Sequence, residues 1–192
     1  MEIRLKKLTR DMTEEYLFYF DRIAFAGHEE WAGCYCLESH LLREENESLD
    51  FKDKRDARRE KAKELVESGI MQGYLLYDGE QPIGWCNAGD KTDYAPIMAY
   101  ADFHTMELKP GLVKIIYCIE LAQNYRGKGI THLIVDEVCR DAKKDGYRYV
   151  ESYPFSDKKF EFQYHGPIYL YEKHGFETVA KKDWFWIMRK EL

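Results

Sequence analysis

The sequence predicts an α/β fold in one domain spanning residues 1–192, and three observations predict it. A chain of 192 residues can build one sizeable core and is short for two. Segments with the two-residue period of strands alternate with segments whose apolar residues recur every three to four positions, as in helices. The run Leu112-Val113-Lys114-Ile115-Ile116-Tyr117-Cys118-Ile119-Glu120-Leu121 is almost continuously apolar, the pattern of a central strand covered on both faces.

Taken in order, Glu2 to Lys7 alternates like a half-buried strand. Thr9-Arg10-Asp11 offers capping side chains before Tyr16, Leu17, Phe20, Ile23 and Ala24, which are spaced as on a helix. His28 to Asn46 has helical spacing only in its second half and no clear start. Lys52 to Ser68 reads as a charged helix with a thin apolar stripe, stopped by Gly69. Gly73–Tyr77 and Pro82–Asn87 flank Asp78-Gly79-Glu80-Gln81 and form a β-hairpin. Gly89 to Met106 shows no period and reads as a loop with a short helical turn. After the central strand, Ile130, Leu133, Ile134, Val138 and Ala142 mark a helix ended by Asp145-Gly146. A strand over 147–153, a helix around 168–174 and strands near 176–180 and 184–189 complete the chain.

Composition narrows the function classes. The hydrophobic fraction of 45% and aromatic fraction of 15% are those of a globular protein. No run reaches the roughly 18 to 20 apolar residues of a membrane span, and the N-terminus lacks the apolar centre of a signal peptide, which predicts the cytoplasm and no membrane partner. The five cysteines are scattered and odd in number, unlike a disulfide framework. A net charge of −6 argues against nucleic acid and suits a cationic partner such as an amine.

Gln123-Asn124-Tyr125-Arg126-Gly127-Lys128-Gly129 links the central strand to a helix. Such a turn is an anion site. Glycines let the backbone approach a ligand, and the first helical turn presents unpaired N–H groups and partial positive charge. It lacks the lysine-serine/threonine pair of a P-loop and the third glycine of the dinucleotide fingerprint.

The segment resembles the signature Q/R-x-x-G-x-G/A of the GCN5-related N-acetyltransferase (GNAT) superfamily. Arg126-Gly127-Lys128-Gly129-Ile130-Thr131 matches at Arg126 and Gly129 and departs at Thr131. Downstream, Leu170-Tyr171-Glu172-Lys173-His174-Gly175-Phe176 is similar to that family's common l-Y-E-K-x-G-F segment. The resemblance implies a GNAT-like twisted mixed sheet of six or seven strands with helices on both faces. It also implies acetyl-CoA as acyl donor, with the pyrophosphate on residues 126–131. Cofactor contacts are expected from Ile119, Leu121, Arg126, Gly127, Lys128, Gly129, Ile130 and Thr131. Where the strand splays, the Leu121 N–H would polarise the thioester carbonyl. Tyr171 would protonate the leaving thiolate. Glu120 would act as base, with Glu151 as a second candidate. The implied reaction is direct acetyl transfer, in a ternary complex, to a primary amine of a small molecule or peptide. The resemblance also allows a homodimer. It leaves the acceptor open.

Other readings compete with these. A non-catalytic acyl-CoA-binding or sensor module would keep the donor site without turnover. Tyr164-His165-Gly166-Pro167 stands where relatives carry asparagine and small residues, and reads as a substrate-side turn. Trp31-Ala32-Gly33-Cys34-Tyr35-Cys36 lacks the spacing of common zinc sites. Core packing, or a substrate pocket with Trp31 and Trp85, is the better account of it.

Overall fold

A computed structural model describes residues 2–49, 53–94, 103–156 and 163–192. Seven strands form one sheet: β1 (Ile3–Lys7), β2 (Gly73–Asp78), β3 (Gln81–Asp90), β4 (Val113–Leu121), β5 (Tyr149–Ser152), β6 (Glu177–Lys181) and β7 (Trp186–Glu191). Their spatial order is β1-β2-β3-β4-β5-β7-β6. Only β4 and β5 are parallel; every other neighbouring pair is antiparallel. The helices are α1 (Thr13–Arg22), α2 (Arg43–Ser48), α3 (Arg55–Ser68), α4 (Ile130–Lys144) and α5 (Ile168–Lys173).

The local chemistry of the chain accounts for these elements. Asp78 pairs with Gln81, leaving Gly79-Glu80 as a two-residue hairpin turn with Gly79 at φ +62°. Helix α3 ends at Gly69, whose φ of +80° is the left-handed cap that a side chain disfavours. On α4, Ile130, Ile134, Val135, Val138, Cys139 and Ala142 form the buried stripe. That stripe packs with Leu170 and Tyr171 of α5 against Ile116, Ile119 and Leu121 of β4. On the opposite face, Tyr16, Leu17 and Phe20 of α1 and Ala62, Leu65 and Val66 of α3 cover Leu75, Tyr77 and Trp85. Helices therefore lie on both faces of the seven-stranded sheet, as expected.

The differences are local. A 3₁₀ turn (Arg10–Met12) precedes α1, and Thr9 makes no side-chain cap bond to it. His28–Asn46 holds two 3₁₀ turns (Glu29–Trp31 and Leu37–Ser39) before α2 begins. Strand β3 runs on to Asp90, past the expected Asn87, because β4 pairs with it that far. The expected helix start at Lys52 and the middle of the Gly89–Met106 passage lie outside the described residues. Among the described residues, no helix is long and apolar enough to cross a membrane.

Candidate active site

One extra residue in β4 shapes the site. Gly84, Trp85, Cys86 and Asn87 face Leu121, Glu120, Ile119 and Cys118; pairing then resumes at Ala88 and Ile116, so Tyr117 is a β-bulge. On its other edge β4 pairs with β5 only as far as Ile116 and Ser152. Past that point the segment Tyr164–Gly166 approaches β4. The Ile119 N–H donates to the Tyr164 carbonyl at 2.7 Å. The His165 ring Nδ1 meets the Tyr117 carbonyl. Burial holds the His165 imidazole down at about 4, so the ring is neutral at pH 7, and Nδ1 is its donor.

A cavity of about 430 Å³ lies against this part of β4. Tyr117 to Leu121 form one wall. Arg126, Gly127 and Thr131 bring in the glycine turn, and Gln163, Tyr164, Gly166 and Pro167 form a third side. Phe20, Phe25, Trp31, Cys34, Cys36, Glu38 and Ser39 close the rest.

In the glycine turn, Gly127 and Gly129 both adopt left-handed backbone, at φ +73° and +76°. A Cβ at either would meet nothing within 4 Å, so the demand for glycine there is conformational rather than steric. Gly129 caps α4 directly, which aims the first-turn amides, Ile130 and Thr131 among them, out of the helix end. The Ile130 side chain is itself buried in the core. Lys128 Nζ sits 5.3 Å from the Tyr125 ring centroid. Arg126 turns back instead: its Nε donates to the Leu121 carbonyl at 2.8 Å, and its NH2 group meets Glu120 Oε1 at 2.6 Å.

Glu120 is the ionisable group best placed for proton transfer. Its side chain is 15% exposed, and burial pushes its carboxyl up to about 7 even though Arg126 pulls it down. The neighbouring Ala122 N–H bonds to the Ile83 carbonyl on the β3 side, while the Ile119 N–H points the other way to Tyr164. By the alternation of a strand, the Leu121 N–H shares the Ile119 side, next to the cavity.

Two expected residues lie elsewhere. Tyr171 is fully buried and is not a lining residue; its hydroxyl donates to the His165 carbonyl at 2.6 Å, behind Gly166 of the cavity wall. Burial raises this phenol well above its ordinary value. Glu151, the second candidate base, is a correction: it is fully buried beneath the sheet, ion-paired to Lys91 at 2.6 Å and to Arg189, with Tyr153 donating at 2.9 Å. A carboxylate so enclosed holds charges in place and meets no substrate. Lys128 and Gly129 belong to the turn and Ile130 opens α4; none of the three is a lining residue of the cavity.

Sequence reasoning missed the bulge at Tyr117 and the wall built by Phe20 and Phe25, while the turn it singled out at Tyr164–Pro167 does reach the cavity through Tyr164, Gly166 and Pro167. It singled out the Trp31–Cys36 stretch, and the structure brings Trp31, Cys34 and Cys36 into the cavity. Among the described residues, no three His, Cys, Asp or Glu side chains gather as a metal ion requires.

Comparison with known proteins accords with this geometry. No curated protein matches the chain. Among solved structures, the PaiA N-acetyltransferase from Thermoplasma acidophilum, in complex with coenzyme A, superposes with a TM-score of 0.58 at 18% identity, covering 100% of both chains. A putative GNAT-family acetyltransferase from Desulfovibrio desulfuricans gives a TM-score of 0.59 at 15% identity over 99% of each chain. The C-terminal condensation domain of Ebony, in complex with beta-alanyl-dopamine, gives 0.61 at 13% identity over 100% of both. The model of the acetyltransferase (GNAT) family matches residues 31–176, which contain β4, the glycine turn and α5. The chain belongs to the acetyltransferase (GNAT) family and is an acyltransferase.

Proposed function

We propose that this chain transfers an acetyl group from acetyl-CoA to a primary amine of a small molecule or peptide, by direct attack of the amine in a ternary complex. One observation carries the reading. A buried carboxyl with a pKa of about 7, Glu120, shares a cavity with the glycine turn and stands one residue from the Leu121 N–H. Acetyl-CoA would supply the activated thioester. Amides of the turn at Gly127–Thr131 suit its pyrophosphate, and Arg126, next to them, can leave Glu120 for a phosphate oxygen.

The residues divide the work. Glu120 takes the proton from the attacking ammonium or amine; a pKa near the working pH suits a base that must also give the proton up. The Leu121 N–H is the donor for the oxyanion that forms at the thioester carbonyl. Tyr164 lines the cavity, and burial raises its phenol, which keeps it protonated beside the leaving thiolate. Tyr171 then serves by holding the His165 carbonyl, and through it the segment that packs on β4. We place this activity in one cytoplasmic domain; the scattered free cysteines support that setting.

The test is thiol release from acetyl-CoA across a panel of primary amines, with wild type and Glu120→Gln. The proposal requires amine-dependent release that falls about 10²- to 10⁴-fold in the variant. Binding of acetyl-CoA without release, for any amine and in both proteins, would instead mark a non-catalytic acyl-CoA-binding module.

A further inference from the structure

Cys36 and Cys118 both line the cavity, and the acyl-transfer reading gives neither a role. Tyr35 and Cys36 are consecutive non-glycine residues in left-handed backbone, at φ +43° and +51°. Packed neighbours hold this conformation. The Tyr16 hydroxyl donates to the Tyr35 carbonyl at 2.6 Å, and the fully buried Arg58 donates to the carbonyls of Gly33 and Cys34 at 2.6 and 3.1 Å. The effect is to bring Cys36 to the cavity wall.

That sulfur is surrounded by donors. Asn87 Nδ2 reaches Cys36 Sγ at 3.1 Å and Ser39 Oγ at 2.9 Å. On its other side the amide accepts at Oδ1 from the Tyr94 hydroxyl at 2.5 Å. The Trp85 indole N–H is fully buried and has no hydrogen-bond partner among the described residues. Cys118, on β4, stands opposite Asn87 in the β3–β4 register and packs against the cluster that holds Cys36. Burial alone would push the Cys36 thiol up. Hydrogen bonding from its neighbours, Cys118 and Asn87 foremost, outweighs that and holds it below its ordinary value. Cys34, two residues away, lacks these donors and is pushed up to about 12 by burial.

We propose that Cys36 is an oxidative modification site: a small peroxide entering the cavity oxidises its sulfur, and Cys118 resolves the product to a Cys36–Cys118 disulfide. Cys36 first releases its proton to solvent; its thiolate attacks one peroxide oxygen, the O–O bond breaks, and hydroxide leaves, taking the Cys118 proton as water. The Cys118 sulfur then attacks the sulfenic sulfur of Cys36; the S–S bond forms, the S–O bond breaks, and a second hydroxide returns to solvent. The two sulfurs lose two electrons and the peroxide gains them. The bond ties the Trp31–Cys36 wall to the strand that carries Glu120. The inference goes beyond acyl transfer and stands whether or not the amine reading holds.

The experiment treats the reduced full chain with hydrogen peroxide, quenches it with an alkylating agent, and maps the cysteines by mass spectrometry. The expected product is a Cys36–Cys118 cross-linked peptide, reversed by dithiothreitol and formed at least about tenfold faster than Cys34 or Cys139 is oxidised. In Cys118→Ser, checked for folding by circular dichroism, Cys36 halts as a sulfenic acid that dimedone traps. Oxidation of Cys36 no faster than that of Cys34, or oxidised Cys36 that never links to Cys118 in the wild type, overturns the proposal.

Discussion

Replacing Glu120 by glutamine sets stability against activity, and the structure gives the size of the first effect. An unfolded chain ionises this carboxyl at its ordinary 4.5, whereas the folded chain holds it neutral up to about 7. The shift is upward, so the neutral acid is the form the fold tolerates. Below the unfolded value the group costs nothing. Between the two values the unfolded chain gains by ionising while the folded chain does not, and stability falls until the pH passes about 7. A rise from 4.5 to about 7, at about 1.4 kcal/mol per unit, makes the full loss roughly 3 kcal/mol. The side chain is only 15% exposed, so solvent screens little of it.

Glutamine has no proton to lose over that window. Urea unfolding of both proteins at about pH 5 and about pH 8 therefore shows Glu120→Gln gaining roughly 2 to 3 kcal/mol on the wild type between them. Thiol release falls in the same variant, which is the usual opposition between a buried catalytic group and a relaxed fold. Parallel stability profiles would refute the reasoning: the carboxyl would then titrate as if in water, and its fitness as a base at neutral pH would go with it.

Two further outcomes follow from neighbouring contacts. Arg126→Met removes the guanidinium 2.6 Å from Glu120. The acid limb of the kcat/KM profile should move up by about half a unit to one unit, the modest size reflecting the exposure of Arg126, while KM for acetyl-CoA rises several-fold; an unmoved limb would separate the pair from catalysis. Tyr171→Phe leaves the buried His165 carbonyl without its donor and should cost about 1 to 3 kcal/mol in thermal unfolding, with kcat within about threefold of wild type; a hundredfold fall would make this hydroxyl the acid after all.

What the sequence displayed was local. The glycine turn declares itself because left-handed backbone at Gly127 and Gly129 selects the residue type directly. The helices and strands around it follow from apolar spacing that the core then uses, as on α4. Glu151 and Glu120 look alike in the sequence, each a carboxylate near the end of a strand and preceded by a β-branched apolar residue. Only the fold separates them: Lys91 and Arg189, far away along the chain, enclose Glu151, and the cavity receives Glu120. The Trp31–Cys36 stretch stood out by composition, but its backbone path did not. The conformation at Tyr35–Cys36 is imposed by Tyr16 and Arg58, and no local period announces it.

The bulge at Tyr117 gives β4 two parities. Ahead of it, Val113 and Ile115 pack away from α4 while Ile116 packs toward it. Beyond it the assignment inverts: Ile119 and Leu121 join α4, and Cys118 turns to the α1 side. Removing a single residue there would leave a strand just as apolar and just as able to pair, yet Glu120 would point into the packed interior and Ile119 into the cavity. Lengthening or shortening this strand in steps of two is therefore compatible with the site, and steps of one are not. Any chain built on this plan must preserve an odd count at that point, whatever side chains it places around it.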